Sequence, residues 1–360
     1  MHKFSLNRLD FPILLPAFLM VTIGLASFYS IDFLLFKQQL IFLFLSFIAY
    51  LIFLNIDYKL FRLFSKQLYF LMIFLLLTLF LLGIEARGAV RWIDLFGIRV
   101  QFSEIIKPFF IIFLAQYLTT NESRSLSKFL KALALMAPFF FLILRQPDLG
   151  NAMIYFFTTI LMLLVFGFPF FYFIGLAFVL ILSFPVFFTF LHDYQKEMIL
   201  TFIDPTRDPF GSSYNVIQSL ISIGSGGWFG KGFGEATQSI LKFLPERHTD
   251  FIFASISESI GFVGAIFLMG LFIFLLTRIY KISRNAHEVF PNLVLMGFYF
   301  LFMTHIFLNI GMNIGIVPIV GVTLPFVSYG GSSLLTSFIM LGIISSIKFD
   351  YKKSKPLEIV

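Results

Sequence analysis

Gly224-Ser225-Gly226-Gly227-Trp228-Phe229-Gly230-Lys231-Gly232-Phe233-Gly234, followed by Leu244-Pro245-Glu246-Arg247-His248-Thr249-Asp250-Phe251, lies in the one long polar stretch of this chain, Asp204 to Gly264. On both sides of it the sequence is a succession of apolar runs. Of 360 residues, 59% are hydrophobic and 12% charged; a soluble domain carries about 25% charged residues. The chain therefore reads as a polytopic helical membrane protein. Its 55 phenylalanines belong to the same composition and mark no stacking site. The absence of cysteine excludes disulfides, thiolate metal sites and a Cys nucleophile.

Working outward, apolar runs long enough to cross roughly 30 Å of hydrocarbon predict spans near 11-31, 36-56, 67-84, 103-120, 132-146, 150-167, 168-191, 251-277, 291-314 and 331-348. The expected fold is all-α, with about ten transmembrane helices in a single membrane domain over 1-360 and a large extracytoplasmic loop, 192-250, between helices 7 and 8. Near 145-170, Pro147 and Pro169 separate adjacent spans, and re-entrant segments would also fit there. Lys and Arg are retained on the cytoplasmic side. With the N-terminus inside, 15 of the 26 basic residues fall in short inner segments, from Lys3 and Arg8 to Lys348 and Lys355, and 12 of the 19 acidic residues fall outside. Both termini are then cytoplasmic. The net charge of +7 follows this topology and suits anionic lipid better than nucleic acid, which is not an expected partner.

Asp250 stands at the outer start of the eighth span, and Ser257 and Glu258, seven and eight residues on, share its helical face. It is either an interfacial helix cap or a functional carboxylate in a cavity. Glu104 and Lys107, three apart on one face, either neutralise each other or, with the outer Arg87 and Arg91, bind a phosphate or pyrophosphate. Asp148, in Gln146-Pro147-Asp148-Leu149-Gly150, is placed to cap the helix after it. His305, Asn309 and Asn313 recur every four residues, as interhelical hydrogen-bond glue or a polar route. Pro325-Phe326-Val327-Ser328-Tyr329-Gly330-Gly331-Ser332-Ser333 offers small residues and hydroxyls to a sugar or phosphate, or is a tight turn. The glycines at 224-234 fail the phosphate-loop pattern, because Gly232 stands where Ser or Thr is required; a mobile or closely packed outer loop is expected instead.

These stretches, with Gly88 to Lys107 and Asn309 to Ser333, resemble in the same order the SEDS family (shape, elongation, division and sporulation; FtsW, RodA and SpoVE), and Arg247 between Glu246 and His248 is similar to the RodA branch. The resemblance implies a peptidoglycan glycosyltransferase that polymerises lipid II at the outer face of the bacterial cytoplasmic membrane during cell elongation. Its implied partners are lipid II, a polyprenyl pyrophosphate-linked glycan, a class B penicillin-binding protein transpeptidase and elongation-complex membrane proteins. The family's essential Asp falls on Asp250 as general base. Substrate contacts fall on Arg91, Trp92, Lys107, Asp148, His248, Ser328 and Tyr329, and a metal contact on Glu104, with Mg²⁺ or Mn²⁺ expected as the cofactor. Ser259 departs from the family, where a second Glu is common, and so does Phe102, where Pro is common. The rival readings are a flippase or transporter of a lipid-linked saccharide and a non-catalytic scaffold for cell-wall enzymes.

Overall fold

A computed structural model of the chain describes residues 8–86, 89–95, 98–191, 193–204, 213–241 and 243–354. Arg87 and Gly88, and residues 205-212 and 242 of the polar stretch, lie outside the described residues. In chain order come α1 (Phe11–Ile31), α2 (Phe33–Asn55), α3 (Tyr58–Leu63), α4 (Ser65–Leu82), β1 (Ile84–Ala86), β2 (Ala89–Leu95), β3 (Ile98–Val100), α5 (Phe102–Ile105) and α6 (Lys107–Thr120). Then follow α7 (Leu126–Arg145), α8 (Leu149–Phe166), α9 (Phe170–Phe190), α10 (Asp193–Ile203), α11 (Tyr214–Ser225), α12 (Thr237–Ile240), α13 (Ile252–Arg284), α14 (Val289–Asn313) and α15 (Gly331–Ser354).

Each predicted span coincides with a helix or, for the fourth, with two. Among the described residues eight helices are long and apolar enough to cross a membrane: α1, α2, α7, α8, α9, α13, α14 and α15. The third span, α4, is 18 residues long, and the fourth is divided into α5 and the 14-residue α6. That division precedes Lys107-Pro108, where proline lacks the amide a continuous helix would need and is tolerated in a first turn. Helix ends follow local chemistry. Asp32, Asp57 and Ser125 each accept an amide of the helix they precede, and Gly167 (φ +91°) closes α8 in the left-handed region.

Ion pairs and ring contacts gather one set of connections at one end of the bundle. Lys348 Nζ lies 2.6 Å from Asp10 Oδ2, and Lys59 Nζ lies 2.9 Å from Asp350 Oδ2. The Arg62 guanidinium sits over the Phe290 ring, and the Arg124 guanidinium lies against Gly167. These contacts join the start of α1, the α2–α4, α6–α7, α8–α9 and α13–α14 connections and the end of α15. All but the α8–α9 connection are the Lys- and Arg-rich segments that the charge bias places on a single side. The opposite end carries the sheet, the 146–148 turn, the described parts of the 191–250 connection and the 314–330 connection. Between the two ends the core is densest around α14 and α15, whereas α9 has no fully buried residue and touches the core only through partly buried side chains such as Tyr172, Phe173 and Leu176.

Two features were not expected. The first is a three-stranded antiparallel sheet, β1-β2-β3, in a segment read as a loop. The alternation along β2 sets Arg91 and Ile93 on one face, and Ile93 packs on the core. The second is a break in α13 at Gly261, whose φ of +68° and ψ of −169° are not helical. A regular helix would bond the amides of Phe262 and Val263 to the carbonyls of Glu258 and Ser259. Here those four groups turn to the glycine loop. Phe262 N donates to Gly227 O (2.9 Å) and Val263 N to Trp228 O (3.1 Å), while Lys231 N donates to Glu258 O (3.0 Å) and Gly232 N to Ser259 O (2.8 Å). The loop therefore runs back along α13, roughly 13 Å from that helix's outer start at 1.5 Å per residue, with Trp228 and Phe229 exposed on its outer side. It is closely packed.

Glycine is required where the two backbones meet, because a Cβ on Gly230 (φ +79°) would lie 2.3 Å from Ser259 O. Gly230→Ala is expected to destabilise the protein by at least ~2 kcal/mol, from left-handed backbone strain plus the clash. Gly224→Ala, in the last turn of α11 with nothing near its Cβ position, should leave stability unchanged or slightly raised. Thermal unfolding of the two detergent-purified variants checks this; equal melting temperatures would show that the loop does not fill the break.

Candidate functional site

Asp250 ends the turn that leads into α13 and is partly buried. Its backbone is fixed from α14: its carbonyl accepts Asn309 Nδ2 at 3.0 Å and Asn313 Nδ2 at 2.9 Å. Asn313 Oδ1 in turn accepts Ala254 N at 3.1 Å, so a first-turn donor of α13 is capped from the neighbouring helix. The Asp250 carboxylate borders the 320–322 segment; a Cβ on Gly321 (φ +65°) would lie 3.5 Å from Oδ2. The polar stripe on α14 is thus hydrogen-bond glue. Asn309 Nδ2 also donates to Val322 O (2.6 Å), and His305 Nδ1 lies 3.1 Å from Thr323 O.

Two connections form a seam around Asp250. Tyr329 N donates to His248 O (2.8 Å), and Ser328 Oγ donates to Thr249 O (2.7 Å) while accepting Leu324 N (2.7 Å). The His248 and Tyr329 rings meet edge to face at 5.8 Å. The Tyr329 hydroxyl donates to Gln38 Oε1 on α2, and Gln39 Nε2 donates to Ser328 O at 3.4 Å. A Cβ on Gly24 of α1 would lie 2.4 Å from Val327 O, so that glycine lets the last outer connection enter the bundle. Ser328 and Tyr329 were predicted as substrate contacts; their hydroxyls hold the seam together. Phe326 (φ +66°) and Glu246 (φ +49°) are left-handed non-glycine residues in these two connections, the kind of strain that surrounding structure must hold in place.

The remaining predicted residues divide. Arg91 Nε donates to Gln146 O (3.1 Å) and its Nη2 to Pro147 O, so this arginine ties β2 to the end of α7. Trp92 is half-buried on the same strand. Asp148 is 2% exposed; Oδ1 accepts Asn151 N (3.2 Å), and Oδ2 accepts Gln101 Nε2 (2.8 Å) and Asn151 Nδ2 (2.9 Å). Both oxygens are engaged, and Asp148 caps α8. Lys107 is 1% exposed, 2.7 Å from Glu104 Oε1 and 2.9 Å from His305 Nε2. Lys107, expected as a phosphate contact, and Glu104, expected as a metal contact, are paired with each other in this buried site. Among the described residues no group of three or more His, Asp and Glu is arranged to hold a metal ion.

Other groups on this face went unassigned in the sequence. Arg99 is exposed and acts on Tyr329, whose hydroxyl is pushed above its usual range by burial, with Arg99 opposing and Asp32 reinforcing. Arg247, three residues before Asp250, is held below the usual guanidinium value by burial, with Glu246 and Asp32 opposing. Its Nε is buried without a hydrogen-bond partner among the described residues. The signal was present: on the expected topology Arg99 and Arg247, like Arg87 and Arg91, are arginines that run against the positive-inside bias. Glu258 does not share a cavity with Asp250. Fully buried, it accepts Gln238 N (2.9 Å) and Lys231 Nζ (3.3 Å) and anchors the glycine loop.

Comparison with known proteins places this geometry. The family model for FtsW, RodA and SpoVE, described as "Cell cycle protein", matches residues 10–353. The chain is 41% identical over 286 residues to peptidoglycan glycosyltransferase MrdB of Escherichia coli (strain K12), covering 79% of this chain and 77% of that one. It is 35% identical over 361 residues to stage V sporulation protein E of Bacillus subtilis (strain 168), covering 94% and 96%. Among solved structures, a chain from "Structural coordination of polymerization and crosslinking by a peptidoglycan synthase complex" superposes with a TM-score of 0.83 at 29% identity, covering 95% of this chain and 98% of that chain. The rod shape determining protein RodA of Thermus thermophilus superposes with a TM-score of 0.71 at 28% identity, covering 95% and 97%.

If Glu104 and Lys107 act as a structural pair, Lys107→Met leaves a buried carboxylate unpaired and should cost about 3–5 kcal/mol. Glu104→Gln with Lys107→Met should recover most of that loss. Thermal unfolding of the single and double variants measures it; a double variant no more stable than the single one would refute the pairing.

Proposed function

The chain belongs to the FtsW, RodA and SpoVE family of cell cycle proteins and is a multi-pass membrane peptidoglycan glycosyltransferase, and from that premise we propose that Asp250 is the general base that extends a glycan from lipid II. In this reading Asp250 takes the proton of the GlcNAc 4-hydroxyl of the incoming lipid II. The oxygen attacks the anomeric carbon of the growing chain, the bond from that carbon to the diphosphate oxygen breaks, and polyprenyl pyrophosphate leaves with the electron pair. One base suffices for an inverting displacement. A free carboxylate with a pKa of about 4 is a weak base at neutral pH, so the transfer belongs in the transition state, where the hydroxyl has become acidic.

The observation that carries the proposal is the seating of Asp250. Its backbone is clamped by Asn309 and Asn313 while its carboxylate faces Gly321 in the seam between the two outer connections. A fixed backbone gives a base a defined position. For the diphosphate we replace Arg91 and Lys107 by Arg99 and Arg247, since the first two already hold carbonyl and carboxylate oxygens. Trp92 and His248 remain as proposed sugar contacts. An apolar cleft of about 250 Å³ between α8 and α14, lined by residues that include Phe157, Phe307 and Val320, is the proposed seat of the isoprenoid tail. Val320, which lines this cleft, directly precedes Gly321 in the chain.

The donor set at Glu104 does not fit a protein-held cation. The proposed Mg²⁺ or Mn²⁺ would instead accompany the diphosphate, adding positive charge to the leaving group, and no step above depends on it. The bacterial cytoplasmic membrane with both termini inside is supported by the gathering of the basic connections at one end of the bundle. A class B penicillin-binding protein as transpeptidase partner is supported by the likeness to a chain of a complex described as coordinating polymerisation and crosslinking. An elongation role follows the likeness to RodA. Transport along the α14 stripe is disfavoured, because His305, Asn309 and Asn313 are buried and bonded to backbone.

Asp250→Asn keeps the shape and removes the base. The variant should insert and melt like the parent while glycan formation from purified lipid II falls roughly 10²- to 10⁴-fold. The same assay with chelator and with added Mg²⁺ or Mn²⁺ tests the cation. Parental rates in the Asn variant would exclude Asp250 as the base, and lipid movement without glycan would favour the transporter.

A further inference from the structure

The end of the bundle away from Asp250 holds a cleft of about 840 Å³ between the α3–α4 and α6–α7 connections, within the roughly 300–1,000 Å³ of small-molecule sites. Five cations line it: Lys59, Arg62, Lys66, Lys128 and Lys131. No carboxylate is among its lining residues. Three of the cations are positioned by neighbours. Lys59 pairs with Asp350 at 2.9 Å, Arg62 Nε donates to Gln116 Oε1 at 2.8 Å, and Lys128 Nζ donates to the Leu118 carbonyl while Glu122 acts on it from nearby. Lys66 and Lys131 are exposed and make no hydrogen bond or ion pair among the described residues.

We propose that this cleft binds the phosphate headgroup of an anionic membrane lipid. The bland reading of these lysines and arginines is that they only set topology. Topology requires basic residues near helix ends, but not their convergence from two connections on one concave site free of lining carboxylates. Ser123 and Ser127 line the same cleft and supply hydroxyl donors for phosphate oxygens. The occupant is a lipid rather than a soluble phosphate because the lip is apolar and exposed. Leu63, which lines the cleft, is 70% exposed, and Phe70, one turn from Lys66 on the same face of α4, is also 70% exposed. On α7, Leu130 lies one turn from Ser127 and is exposed as well. A headgroup in the cleft would lay its acyl chains along these residues. Basic pockets between membrane helices bind anionic headgroups by this combination of charge and apolar flank. The inference does not depend on the assignment of Asp250.

The test uses the full chain purified in detergent and measures retention of phosphatidylglycerol and of phosphatidylcholine by native mass spectrometry. The parent should retain phosphatidylglycerol selectively. Lys66→Gln with Lys131→Gln should weaken that retention about tenfold or more, with an unchanged melting temperature, and Lys66→Arg with Lys131→Arg should keep it. Equal retention by the Gln variant, or equal retention of phosphatidylcholine by the parent, overturns the proposal. Release of the lipid by millimolar inorganic phosphate would assign the cleft to a soluble anion and overturn the lipid reading too.

Discussion

A backbone amide or carbonyl left unpaired in hydrocarbon costs several kcal/mol, and the half of this bundle that carries Asp250 is arranged around one place where a helix opens its own ladder. At Gly261 two helical hydrogen bonds are given up, and the loop from Gly227 to Gly232 supplies two donors and two acceptors in their place. The glycines that make the sequence look like a flexible or nucleotide-binding loop serve close approach: two backbones meet at hydrogen-bonding distance with no Cβ between them. The docking has a consequence farther along the chain. It brings Lys231 and the amide of Gln238 onto the buried Glu258 carboxylate, and so fixes the path by which the chain returns to Leu244 and Asp250.

The same economy governs the polar groups beneath the outer surface. Lys107 bridges Glu104 and His305, and His305 reaches Thr323 O. One turn along α14, Asn309 reaches Val322 O and Asp250 O. Another turn along, Asn313 reaches Asp250 O and Ala254 N, while its own carbonyl accepts Ser219 Oγ at 2.8 Å. This column mounts the 320–323 segment, the Asp250 turn and α11 on one rigid helix. Removing any member would leave a buried partner unsatisfied, which costs more than the net value of the bond itself.

The ten spans were legible because the signal for a membrane helix is length and apolarity, and local folding does not override it. The β2 strand was not: seven residues within a polar connection were read by composition, although Val90, Trp92 and Asp94 alternate with Arg91, Ile93 and Leu95. The division of the fourth span was written in Pro108 and overlooked. Asp250 was legible as the acidic residue at the mouth of the eighth span, but its setting was not, because the groups that hold it lie 59 and 63 residues away. Asp148 shows the reverse. Its spacing gave the helix cap correctly, and likeness to a family drew it toward the substrate.

The division among the outer cations follows from what each already holds. A charged donor that must release two carbonyls, as Arg91 would, or a carboxylate, as Lys107 would, gains from a phosphate only the difference between the new bonds and the old. The buried partner left behind makes that difference unfavourable. Arg99 starts from water, and Arg247 starts half-buried with an Nε that has no described partner, so for these two a diphosphate adds bonds instead of exchanging them. Asp32 acts on Arg247 and on Tyr329, which keeps a counter-charge nearby. On the proposed assignment, a leaving group that arrives already negative would meet cations whose competing bonds are few, on the face that holds a carboxylate with its backbone clamped from α14.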